Sequence, residues 1–114
     1  MSAQPTTPPV VVSGAESVEQ RFARLAALWH EETWHLSSAT RMAEHPAYRE
    51  IISLGEAVVP LLLRELAREP DHWFSALKAI TGANPVGPAD HGRIDKMAAA
   101  WLDWGRLHGY QWDT

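Results

Sequence analysis

The chain has 114 residues, 46% apolar and 21% charged, with a net charge of −4 when the histidines are neutral and no cysteine. That length suits one domain with a core of its own and the composition excludes disorder throughout, while the missing cysteine excludes disulfides, thiolate metal sites and thiol nucleophiles together. The ten Lys and Arg residues are scattered singly among acids, which removes the long-range attraction behind non-specific nucleic-acid binding and disfavours nucleic acid as a partner.

The opening MSAQPTTPPVVVSGAES has neither a basic leader region nor a long apolar stretch. Residues 1–16 read as a disordered arm, rich in Pro, Ser and Thr with one short run, Val10-Val11-Val12, and residues 17–114 as a single helical domain. No apolar run approaches the ~18 residues that a membrane span needs, so secretion and membrane insertion are disfavoured and a cytoplasmic location is expected.

Ser17, with Gln20 three residues on, has the spacing of a capping box, and Val18, Phe22, Leu25 and Trp29 then recur on one helical face up to about Glu32 or Trp34. Ser37-Ser38 caps a shorter segment with a weak stripe of Ala39, Met42 and Ala43, ended by His45-Pro46. Pro46 suits the first turn of the next helix, because its missing N–H would lack a partner there anyway; Tyr48, Ile51 and Ile52 form its inner face and Gly55 closes it. From Glu56 onward Val59, Leu62, Leu63 and Leu66 give the strongest amphipathic pattern in the chain, with Pro60 early enough to start the helix and not break it.

Pro70-Asp71 predicts a break and a cap, followed by a helix with Trp73, Leu77 and Ile80 inward and Gly82 at its left-handed end. The turn formers of residues 83–92 predict a surface loop. A last helix starts near Arg93, carries Ile94, Met97, Ala98, Trp101 and Trp104 inward, and ends at Gly105 or Gly109. No stretch competes as a strand with a pairing partner, so the expected fold class is all-α: a compact bundle of about five to six helices.

The segment IISLGEAVVPLLLRELAREPDHWFSALKAITG resembles a HEAT-like helical repeat of the phycobilisome-lyase type, through Leu54, Gly55, Ala57, Val58, Pro60, Leu62, Leu63, Leu66, Ala76, Leu77 and Ile80. ALKAITGANPVGP followed by AAWLDWGRLHGY is similar to the tail that closes such arrays, with Trp101 and Trp104 in its last helix. The resemblance covers about residues 50 to 112 and does not extend to residues 17–48. It implies one or two HEAT-like hairpins in a compact frame whose relatives generally bind other macromolecules.

The chemistry-bearing patterns are sparse. His30-Glu31-Glu32-Thr33-Trp34-His35 invites comparison with the zinc motif H-E-x-x-H, but its histidines are five apart and not four, which on a helix turns one ring about 140° from the other. Glu31 and His35 fit one helix face at i, i+4, and His45, His72, His91 and His108 make a metal site only by converging in space. Ser37, Ser38, Ser53 and Ser75 lack a nucleophile elbow, and Glu65 and Glu69 are expected to pair with Arg68 and Arg64. The helix after Gly92 offers Arg93, Lys96 and Arg106 to a DNA backbone, but Asp95 and Asp103 oppose it.

Six tryptophans are an excess for this length, and Trp serves both cores and interfaces. Trp29, Trp73 and Trp101 fit the inner stripes, whereas Trp34 and Trp112 do not fit a single stripe. Trp34 with Arg41, His45 and Arg49 is the aromatic-plus-arginine mixture found at interface hot spots, and this patch is the expected partner-binding site; the alternative has Trp34 folded back onto the bundle with the arginines around its rim. The expected function is therefore non-catalytic and needs no cofactor: a bacterial protein-interaction module, a small adaptor, immunity or antitoxin-like partner of a larger protein. A DNA-binding transcriptional regulator and a small metal-dependent enzyme remain as alternatives.

Overall fold

Ser17 starts the first helix through both bonds of the capping box: its Oγ accepts from the Gln20 N–H, and Gln20 Oε1 accepts from the Ser17 N–H, each at 3.0 Å. In this computed structural model, which describes residues 16–112, helix α1 runs Val18–Thr33 and turns Phe22, Leu25, Ala26 and Trp29 inward. The expected N-terminal arm lies outside the described residues apart from Glu16.

Ser38 caps α2, Ala39–Ala43, by accepting from the Arg41 N–H at 3.3 Å. Pro46 opens α3, Pro46–Ser53, and Gly55, at φ 74°, takes the chain into a 3₁₀ turn, Gly55–Val58. Helix α4, Val59–Arg68, follows with Pro60 in its first turn, where its missing N–H costs no helical bond. Helix α5, Phe74–Thr81, stops at Gly82, whose φ of 75° is the left-handed conformation that glycine adopts without strain. A second 3₁₀ turn, Pro88–Asp90, lies in the loop before α6, Ile94–Leu107. The described residues contain no strand, and the fold is a compact all-α bundle of six helices.

One boundary expectation changes, and the choice between Gly105 and Gly109 at the end of α6 is decided. Asp71 breaks the chain but does not cap α5, whose cap position is Trp73 without a side-chain bond; Asp71 Oδ1 instead accepts from the His72 N–H at 2.7 Å. Gly105 lies inside α6, and Gly109 ends it: the Tyr110 N–H reaches the Gly105 carbonyl at 2.9 Å and the Gly109 N–H that of Arg106 at 3.2 Å, the paired bonds of a Schellman turn.

Helix α3 packs between α1 and α5, while α4 packs against α6. The turn Gly55–Val58 touches α1, α3, α4 and α5, which is why Val58 and Val59 are fully buried. Around this junction stand Leu62, Leu63, Leu66 and Leu77, each worth roughly 1.5–3 kcal/mol when taken out of water. One side of the core is aromatic: Trp73 lies 4.5 Å from Trp29, 5.5 Å from Phe22 and 5.7 Å from Tyr48 between ring centroids. The buried Trp29 ring keeps its polar group satisfied, its Nε1–H donating to the Met42 carbonyl at 2.8 Å.

Trp29, Trp73 and Trp101 are each 1% exposed, as their stripes predict. Trp112 is buried too, packed over Gly105, where only a residue without a side chain leaves room for the indole.

Candidate functional site

Helical phase explains why Trp34 stands apart from the other tryptophans. Trp29 and Thr33 are four residues apart and both face inward, the Thr33 hydroxyl donating to the Trp29 carbonyl at 2.6 Å. The next residue points about 100° away from Thr33, off the apolar stripe. Trp34 is accordingly 80% exposed, with the His35 ring edge-on to it at 5.8 Å. It does not fold back onto the bundle.

Arg41 on α2 and Arg49 on α3 are exposed, and neither makes an ion pair among the described residues. His45 is placed differently. Its Nδ1 accepts from the Ala47 N–H at 3.0 Å, capping α3, which leaves the proton on Nε2 to donate to Glu32 Oε1 at 2.6 Å. With its side chain 15% exposed, His45 holds the corner together and shows little of itself to a partner. The His45–Glu32 and Trp29–Met42 bonds tie the C-terminal end of α1 to the α2–α3 corner, so Trp34, Arg41 and Arg49 belong to elements that meet there.

The remaining histidines do not converge. His30 turns to Asp71, Nε2 to Oδ2 at 2.6 Å, and lies against Trp29 and Trp73, whereas His35 follows the end of α1 beside Trp34. Among the described residues no three His, Asp or Glu side chains come together to hold a metal ion. Arg68 pairs with Glu65 at 3.4 Å, as the sequence suggests, but Arg64 reaches across to Glu19 on α1 at 2.9 Å and not along its own helix to Glu69. Helix α6 spends Ala98, Trp101 and Gly105 on burial against α4, and Arg106 is drawn to Asp103 at 3.4 Å and over the Trp112 ring at 5.4 Å.

A second surface feature escapes the sequence patterns. Glu56, Thr81, Gly82, Ala83, Trp104, His108 and Tyr110 line an open recess of about 340 Å³. Trp104 lies nearly parallel to His108, 26° between planes and 4.4 Å between centroids, and to Tyr110, 24° and 5.6 Å. Partial dehydration first, and then the charge of Glu56, push the Tyr110 phenol above the usual tyrosine range. The i, i+4 spacing of Trp104 and His108 was the local signal available; Glu56 and the Gly82 turn join them only through the packing of α5, α6 and the first 3₁₀ turn.

Compared with protein-family models, with curated proteins and with solved structures, the chain matches none of them. No helix among the described residues is long and apolar enough to cross a membrane.

Proposed function

We propose that this chain is a non-catalytic protein-interaction module, a small cytoplasmic adaptor or an immunity- or antitoxin-like partner of a larger protein, with Trp34 at the centre of the contact. The observation that carries this reading is an indole 80% exposed on a braced corner. Covering a tryptophan removes about 150–250 Å² from water, worth roughly 4–6 kcal/mol at 25 cal/mol per Å² before ordering costs. Those costs are small here, because the Thr33–Trp29 and His45–Glu32 bonds already hold the surrounding backbone. Arg41 and Arg49, exposed and without ion pairs among the described residues on the helices of the same corner, are the residue type that accompanies Trp at hot spots.

The HEAT-like reading is supported by how the helices pair. Alternate helices pack together, α3 with α5 and α4 with α6, as neighbouring units do in stacked helical repeats. Repeats of that kind present a helical surface to a macromolecular partner. The test is affinity capture from the native host with the intact chain and with a Trp34→Ala, Arg41→Ala double variant of equal helicity. A stoichiometric protein recovered by the first, lost by the second, and rebinding when purified supports the module and its site. Retention of nothing protein-like by the intact chain overturns the reading.

A further inference from the structure

The recess between the first 3₁₀ turn and the ends of α5 and α6 combines features that serve no purpose in the Trp34 surface. Its aromatic wall is braced from behind: Trp104 meets the buried Trp101 edge-on at 5.3 Å, and the Schellman turn at Gly109 folds Tyr110 back against Trp104. The space beside Gly82 is open: a Cβ there would meet nothing within 4 Å. Glu56 is exposed and makes no ion pair among the described residues, yet its charge is felt by the half-buried Tyr110 phenol. The π faces carry negative potential and the carboxylate adds a full negative charge. Of the lining residues, only His108 carries a base.

This combination selects a ligand class. An anion meets repulsion from Glu56 and from the ring faces. A metal ion needs several hard or imidazole ligands, and the recess holds one carboxylate and one imidazole, with no group of three such side chains among the described residues. An organic cation gains from both parts of the site, placing its charge near Glu56 and its weakly hydrated alkyl or planar surface on the rings.

We propose that the recess lined by Glu56, Trp104 and Tyr110 binds an organic cation, an alkylammonium or guanidinium group. That group is supplied either by a free small molecule or by a Lys or Arg side chain. The site is separate from Trp34 and stands or falls independently of it.

The test is a titration of the full ¹⁵N-labelled chain, following the Trp104 indole N–H after its assignment with Trp104→Phe. Three probes are used: choline, its uncharged isostere 3,3-dimethylbutan-1-ol, and a short end-capped peptide with one arginine. At least one cationic probe is expected to shift the Trp104 signal saturably in the millimolar range or below, with the neutral isostere about tenfold weaker. Glu56→Gln weakens the cation about tenfold and leaves the isostere unchanged, as expected for a lost charge-assisted contact. Trp34→Ala leaves every probe as it was. Tighter binding of choline assigns the free molecule as source; tighter binding of the peptide assigns the side chain. The proposal is overturned if neither cation saturates, if the isostere binds as well as choline, or if Glu56→Gln, with a helical spectrum like that of the wild type, binds cations undiminished.

Discussion

Tyr48 and Trp73 stack with their ring planes 9° apart, and the Tyr48 hydroxyl is fastened to the backbone on both sides of Trp73. It donates to the His72 carbonyl at 2.8 Å and accepts from the Ala76 N–H at 2.9 Å. The Ala76 amide belongs to the first turn of α5, where the cap residue Trp73 offers no side-chain acceptor. A tyrosine from another helix thus does the work of a cap. Tyr48→Phe keeps the stack but strips the buried Ala76 amide and the part-buried His72 carbonyl of their partner, at an expected cost of about 1–3 kcal/mol in urea unfolding. Wild-type stability in that variant would mean that the hydroxyl bonds contribute nothing.

The same residue sets an alkaline limit. Burial pushes the Tyr48 phenol well above the ordinary tyrosine range, against the opposing bond from the Ala76 amide. The folded chain keeps this proton at a pH where the unfolded chain, titrating near 10, has released it. The contribution is complete below pH about 10 and is lost as the pH climbs toward the folded value, at about 1.4 kcal/mol per pH unit for one proton. Denaturation curves between pH about 9 and 12 are expected to show this decline in the wild type and a shallower one in Tyr48→Phe.

Gly105→Ala is expected to destabilise although alanine is the better helix former by about 1 kcal/mol. The added Cβ would stand 2.7 Å from Leu63 Cδ1 and 2.9 Å from Trp112 Cζ3, both belonging to buried side chains. Overpacking of this kind costs about 1–3 kcal/mol, so the melting temperature should fall; a rise would show that Leu63 and Trp112 yield freely.

Two tryptophans should separate stability from binding. Trp73→Ala empties the centre of the aromatic cluster and is expected to cost about 3–5 kcal/mol. Trp34→Ala removes an exposed ring and should change unfolding free energy by no more than about 0.5 kcal/mol while abolishing capture of the partner. Matched denaturation of both variants checks the contrast, and a large loss in Trp34→Ala would reassign that side chain to the fold.

Much of the secondary structure was legible in residue order because its causes are local. The Ser17–Gln20 box, the Ser38 cap, Pro46 at a helix start and Gly82 at a helix end each act within three or four residues, the reach of a single helical turn. The apolar stripes ending in Trp29, Leu66 and Trp101 told which side of each helix is dry, and helical phase left Trp34 off its stripe. Asp71 misled for the same reason: its spacing looked like a cap, but its carboxylate had a stronger use, reaching His30 forty-one residues away.

What the sequence by itself determined was the helical class, the order of the helices, the local caps at Ser17, Ser38 and Gly82, and the inward stripes through Trp29, Leu66 and Trp101. Only the tertiary structure decided which of those helices face one another, and with that the Arg64–Glu19 and His45–Glu32 pairs, the Tyr48 cap on α5, the burial of Trp112 over Gly105 and the recess joining Glu56 to Trp104 and Tyr110. The division is physical: hydrogen bonds and periodicity act along a few residues, whereas polar pairs between helices are selected by whichever packing buries the apolar faces without voids.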